Sequence, residues 1–251
     1  VQHNCEVIGR VHSPFQEKFG IPRQPGLAAA ITGEIELLPP WDTAGTVERL
    51  DEYSHVWISF IFHQCVAQGW RERVRPPRLG GNEQVGVFAS RSPFRPNHLG
   101  LSVVRLLSVQ TVPAVKLVVS GLDLLDGTPV VDIKPYLPYV DAIPGASGGY
   151  APAAPGARLA VSFADQPSRL LAEREDGDYL RRSITELLAL DPRPAYQRDR
   201  QTGDRVYGMR FAGHDIRWTV TDSVRARSWS RSRPILPGPC SSRGRAPLSP
   251  T

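Results

Sequence analysis

The chain reads as a mainly β protein, with an N-terminal β-barrel and a smaller C-terminal α+β domain. Three observations predict this. Short apolar or alternating segments recur between residues 7 and 139, cut by Pro, Gly and Asp-Gly turn signals and with few long helical patterns. Between residues 145 and 156 the composition shifts to Ala, Gly, Pro and Ser, which marks a linker. Beyond it, Leu180, Ile184, Leu187 and Leu188 recur at helical spacing. The expected division is 1–145 barrel, 146–156 linker, 157–222 α+β domain and 223–251 disordered tail.

The elements follow in order. Val7–His12 is a short apolar segment, and Pro25-Gly26 is a turn. From Ile31 to Leu38 the residues alternate, with Ile31, Ile35 and Leu37 on one face and Thr32, Glu34 and Glu36 on the other, as in a strand. Asp42–Tyr53 reads as a helical turn. His55–Val66 is rich in aromatic and β-branched residues and reads as a buried strand. Trp70–Gly81 is basic and proline-rich, the pattern of a mobile loop. Val85–Phe88, Leu99–Val109, Val115–Leu122 and Val130–Ile133 are further strands, the last two joined by the tight turn at Asp126-Gly127. In the second domain, 167–174 and 179–190 read as helices and Asp191-Pro192 ends the second. Arg205–Phe211 and Asp215–Val220 form a hairpin.

Composition bounds the function. The 251 residues suffice for one large core or two domains. No apolar run approaches the roughly 18 residues that cross a bilayer, so no membrane partner is expected. Cys5, Cys65 and Cys240 are odd in number and far apart, which fits neither a disulfide framework nor a zinc pattern. A reduced, cytoplasmic setting follows, with Cys65 as core packing. The formal charge is +5, but residues 223–251 carry six arginines and no other charged residue, so residues 1–222 sum to −1. The basic character is a property of the end of the chain, where too little apolar surface remains to offset ordering entropy.

Nucleotide-cradling glycine motifs, HExxH and CxxC are all missing, so no metal site is expected. The most distinctive stretch is 85–102, VGVFASRSPFRPNHLGLS. Its prolines stiffen a polar crossing that holds Arg91 and Arg95, two planar, permanently charged forks suited to carboxylate or phosphate. Polar clusters at Arg23-Gln24, His63-Gln64, Arg91 to Asn97, Asp123 to Asp126 and Asp132-Lys134-Tyr136 all fall at strand ends, where they can converge on one mouth.

These segments carry a family resemblance. EKFGIPRQPG (17–26), YSHVWISFIFHQ (53–64), VRPPRLGG (74–81), VGVFASRSPFRPN (85–97), LDLLDGTPVVDIKPYLPY (122–139) and DPRPAY (191–196) resemble the TrmO (TsaA-like) family of tRNA methyltransferases, over residues 5 to 222. The resemblance implies a TsaA-like barrel that binds S-adenosylmethionine without a Rossmann sheet, and a homodimer. It implies methyl transfer to N6 of threonylcarbamoyl-adenosine beside the tRNA anticodon. It places the cofactor on Arg23, Gln24, His63, Gln64, Arg91, Leu101, Asp123, Leu124, Leu125 and Asp126. Arg95 and Asn97 would meet the modified base or tRNA, and Arg73, Arg75 and Arg78 tRNA phosphate.

Bland readings stand beside these. Asp123 and Asp126 also suit a turn pair, His63 a core histidine, and Arg73, Arg75 and Arg78 a solvated charge run. Asp132, Lys134 and Tyr136 are candidates near the reacting nitrogen, with Asp132 either a general base or half of a structural pair with Lys134. Two alternatives to the tRNA reaction remain: a non-catalytic S-adenosylmethionine- or RNA-binding module, and a methyltransferase for another RNA or a small molecule.

The sequence departs from the family pattern twice. After Asn97 the family continues Pro-Ile-Gly, where this chain has His98-Leu99-Gly100. His98 is expected to be tolerated, with proline there leaving turnover nearly unchanged. After Val220-Thr221-Asp222 the family's last strand gives way to Arg, Ser and Pro, so the C-terminal sheet is expected to lack that strand.

Overall fold

The computed structural model describes residues 3–155, 159–193, 205–221 and 223–231. Six strands close into an antiparallel barrel in the order β1-β2-β7-β6-β3-β8. They are β1 (Gly9–His12), β2 (Thr32–Leu37), β3 (His55–Ile61), β6 (Leu99–Gln110), β7 (Lys116–Ser120) and β8 (Pro129–Pro135). The seam is β1 on β8, with Gly9 opposite Val130. Closure leaves no barrel edge unpaired.

The alternation read in the sequence sets which face is inside. Val56, Ile58 and Phe60 of β3 point into the barrel with Val104, Leu117, Val119, Ile35 and Val130. Gly100 lies opposite Phe60 in the register, and a Cβ there would overlap the Phe60 ring. The aromatic ring thus fills the space that a side chain at 100 would need.

Between β3 and β6 the chain makes a two-stranded ribbon, β4 (Arg73–Val74) with β5 (Val85–Gly86), followed by a 3-10 turn over Val87–Ala89. The expected strand over 85–88 is thus two residues long, and the expected loop at 70–81 contains a strand and a turn. Phe88 ends up 77% exposed, because the turn carries it off the sheet. The expected helical turn at 42–53 is two short 3-10 segments, and β3 ends at Ile61 in a third over His63–Gln68.

The C-terminal unit is a four-stranded sheet ordered β10-β11-β12-β9, from β9 (Val161–Phe163), β10 (Tyr207–Phe211), β11 (His214–Val220) and β12 (Val224–Arg231). The short helix α1 (Pro138–Asp141) follows β8, and α2 (Asp165–Ala172) and α3 (Gly177–Ala189) pack against the sheet. Trp218, Phe211, Leu180, Ile184 and Leu187 centre a second core, which Phe15, Ala28, Ile31 and Leu125 of the N-terminal half join.

β12 corrects the expected tail. Residues 224–231 are not disordered but form an interior strand between β11 and β9. Val224, Ala226 and Trp229 supply its buried face. The register against β11 shifts at Arg217/Trp218, leaving Arg227 as a bulge that breaks the two-residue period. An unbroken alternation is absent from the sequence for that reason. Residues 232–251, including Cys240, and positions 194–196 of the DPRPAY motif lie outside the described residues.

Candidate functional site

The loops after β1, β3 and β7 and the loop before β6 gather at one end of the barrel. Several side-chain contacts tie them together. Arg91 Nη1 donates to Gln24 Oε1 at 2.5 Å, joining the loop before β6 to the one between β1 and β2. Ser102 Oγ, on the inner face of β6, donates to Asp123 Oδ1 at 2.8 Å, joining β6 to the segment after β7.

Asp123 is the perturbed group of this mouth. Desolvation pushes its carboxyl up to about 6, although the Ser102 hydroxyl and the Arg91 charge pull the other way. Burial also lowers the His63 imidazole below its ordinary value, helped by the Lys18 and Arg10 charges, so His63 is neutral at pH 7. His63 opens the 3-10 segment after β3, and Gln64 beside it is exposed. Lys18 Nζ reaches the Gln64 carbonyl at 3.3 Å and the buried Cys65 Sγ at 3.6 Å.

The segment 123–126 splits by direction. Leu124 is buried in the barrel core and Leu125 in the second core, as successive residues of an extended chain point opposite ways. Their side chains therefore belong to packing. Their carbonyls take the Ser13 and Thr128 hydroxyls, while their amides have no backbone partner among the described residues. Asp126 is exposed and accepts from the Ser13 amide at 3.0 Å, which is the turn-bracing alternative.

Arg95 faces its own loop. Its Nη1 donates to the Ser90 carbonyl at 2.7 Å and the Val87 carbonyl at 3.2 Å, and its guanidinium lies 5.7 Å from the Phe88 ring centre. It therefore clamps the 3-10 turn as well as offering charge. Asn97 is exposed beside it, and Arg23 is exposed in the loop after β1. Arg73, Arg75 and Arg78 are all exposed on the β4–β5 ribbon and the turn after β4, with Arg73 reaching the Gln84 carbonyl at 3.5 Å.

The structure overturns the expectation for His98. Its φ is +50°, its ring is buried, and its Nδ1 sits 3.0 Å from the Pro93 carbonyl. Its amide also donates to the Arg95 carbonyl at 3.1 Å. Proline is held near φ −65° and has no amide hydrogen, so it cannot replace His98 in this loop shape.

Asp132, Lys134 and Tyr136 lie on β8 and its end. Asp132 sits opposite Ser59, which sits opposite Leu101, so these three share the outer face of β8, β3 and β6. Leu101 is 54% exposed there. Lys134 Nζ pairs with Asp132 Oδ2 at 2.5 Å, and both are open to solvent. Tyr136 packs on Trp57 and His55. A separate hollow of about 330 Å³ at the far end of the barrel, lined among others by Val47, Arg49, Asp51, Val109 and Thr111, takes in none of these residues. No group of three or more potential metal ligands occurs among the described residues.

Sequence reasoning missed two parts of the mouth. Ser102 lacked any motif and is identified only by its partner Asp123. Ser13, which braces both Leu124 and Asp126, lies just past the first apolar segment and carries no motif of its own.

Comparison with known proteins gives a consistent result. Residues 10–142 match the model of the tRNA-methyltransferase O N-terminal domain, and residues 156–226 that of the TrmO C-terminal domain. The chain is 49% identical over 220 residues to the tRNA (adenine(37)-N6)-methyltransferase of Escherichia coli K12, covering 87% of this chain and 93% of the relative. It is also 49% identical over 220 residues to a Pseudomonas aeruginosa protein named for a proposed S-adenosylmethionine-dependent methyltransferase activity, covering 86% and 92% of the two chains. A crystal structure of TrmO from Pseudomonas aeruginosa superposes with a TM-score of 0.74 at 39% identity, covering 92% of this chain and all of that one. Sequence motifs, barrel, C-terminal sheet and these matches agree: the chain belongs to the TrmO family.

Proposed function

We propose that this chain is a tRNA (adenine(37)-N6)-methyltransferase that moves a methyl group from S-adenosylmethionine to N6 of threonylcarbamoyl-adenosine beside the anticodon. The observation that carries the reading is the barrel mouth, where a desolvated Asp123 carboxylate lies beside the unpartnered amides of Leu124 and Leu125. These features fit the cofactor: a carboxylate for its cationic sulfonium and ammonium, and backbone donors for its adenine nitrogens. When bound, S-adenosylmethionine supplies a methyl already activated on sulfur.

The chain's own work is then positioning. Arg91 and Gln24 fix the loop across the mouth, with Arg23, His63, Gln64, Asp126 and exposed Leu101 as the remaining cofactor contacts. Arg95, anchored through Nη1, presents its outer edge with Asn97 to the threonyl carboxylate or neighbouring tRNA. Arg73, Arg75 and Arg78 meet phosphate. Asp132 lies across Ser59 from Leu101, about 10 Å away at the usual strand spacing. From there it accepts the N6 proton, with Lys134 and Tyr136 orienting it.

The protein acts in the cytoplasm as a homodimer; exposed Leu99 and Leu107 on β6 offer apolar surface for the partner copy. Light scattering of the purified chain tests the dimer. The site is tested by an Asp132→Asn variant in a methyl-transfer assay. The expected loss in kcat is about 100-fold or more, with S-adenosylmethionine affinity unchanged by calorimetry. Wild-type kcat in that variant would remove Asp132 from the chemistry.

A further inference from the structure

The C-terminal sheet has two faces of opposite character. Tyr207, Met209, Ile216, Trp218 and Trp229 turn into the core. The strands β9 to β12 carry no exposed large apolar side chain on the other face. Arg217 of β11 and Arg225 and Arg227 of β12 are all exposed on it. Arg217 stands opposite Ser228, with bulged Arg227 next to it, and Arg225 stands opposite Thr219 two residues along. With strands about 5 Å apart and like-facing residues about 7 Å apart, the three guanidiniums share one small patch.

Among the described residues the fold gives this charge no internal use. Arg210 on the neighbouring strand is paired with Asp215 at 3.4 Å. Arg217, Arg225 and Arg227 pair with no carboxylate among the described residues. Three like charges side by side on a sheet oppose folding. A bound polyanion would reverse that cost.

We propose that this face docks the phosphate backbone of the substrate tRNA, at a part of the molecule outside the anticodon arm. The proposal rests on the tRNA reading above. Guanidinium forks suit phosphate oxygens, and a flat, polar, strongly positive face is the character of nucleic-acid interfaces. Protein interfaces instead centre on aromatic and apolar residues, whereas here the only exposed one is Val206 at the margin, just before β10, among the described residues. Two of the three, Arg225 and Arg227, belong to the segment 223–251, which carries six arginines and no other charged residue. A surface set apart from the barrel mouth would hold the body of the tRNA while the mouth handles one base.

The test compares wild type with a triple variant, Arg217→Gln, Arg225→Gln and Arg227→Gln, and with the matching triple Arg→Lys variant. Binding of full-length threonylcarbamoylated tRNA and of its isolated anticodon stem-loop is measured across a salt series, with kcat and KM for the full tRNA. The Gln variant is expected to weaken full-length tRNA binding about tenfold or more at low salt and to reduce the log–log salt slope by about 2. Its KM rises while kcat, stem-loop affinity and S-adenosylmethionine binding hold. The Lys variant keeps the wild-type slope, which rules out misfolding as the cause. An unchanged slope in the Gln variant, while wild type methylates tRNA, overturns this inference alone and leaves the face to another partner. Equal loss on the stem-loop also overturns it. Failure of wild type to bind tRNA at all overturns both this inference and the reading beneath it.

Discussion

Ser102 and Asp123 meet at 2.8 Å across the barrel mouth, a hydroxyl donating to a carboxylate that burial holds near a pKa of about 6. The consequence for stability has a definite sign. An unfolded aspartate ionises near 3.8, so between pH 4 and 6 the unfolded chain has released a proton that the folded chain still holds, and stability falls as pH rises through that window. Asp123 therefore opposes folding above pH 6, by about 2–3 kcal/mol at most, and ceases to do so below pH 4. An Asp123→Asn variant keeps an oxygen for Ser102 and lacks the charge. Its apo form is expected to melt several degrees above wild type at pH 7.5, with the difference vanishing near pH 4. The same melting at all pH values would contradict the assignment.

The charge that burdens the apo protein should serve the cofactor. S-adenosylmethionine affinity is expected to rise as pH increases through 6 in wild type and to be weak and pH-independent in Asp123→Asn. Calorimetry near pH 6 in buffers of different ionisation enthalpy should detect proton release on binding, since a cationic ligand favours the carboxylate. Binding with no proton linkage would place the cation elsewhere.

His98 gives a prediction opposite to the one family pattern suggests. With φ at +50° and its amide on the Arg95 carbonyl, the loop needs a residue that tolerates the left-handed region and keeps an N–H. His98→Gly should retain most stability and turnover. His98→Pro should cost about 2–3 kcal/mol or more and lower kcat/KM at least tenfold. Equal behaviour of the two variants would refute this.

β12 makes the end of the described chain structural. Truncation after residue 222 deletes an interior strand and exposes the buried faces of Trp218 and Ile216. Thermal unfolding and limited proteolysis should show loss of the C-terminal unit. A protein cut at 222 that melts like the full chain would contradict the pairing of β12 with β9 and β11.

Most of the architecture was legible because it rests on local pattern. Val56, Ile58 and Phe60 alternate in the sequence as they do in the barrel wall. The pairs that build the mouth were not legible, because Ser102 and Asp123 are brought together by the β6–β7 register. β12 was misread for a different reason: its bulge at Arg227 hides the apolar alternation, and its arginines resemble a solvated tail. His98 was misread because backbone handedness at one loop residue leaves no periodic trace.

Methyl transfer from labelled S-adenosylmethionine tests the central claim most directly. Two substrates are compared under the same conditions, one tRNA with the threonylcarbamoyl group on the adenosine beside the anticodon and the same tRNA without it. Label appearing at N6 of the modified nucleoside, and not on the unmodified tRNA, is the predicted result. Intact cofactor binding with no transfer to the modified tRNA would contradict the account and leave a binding module in its place.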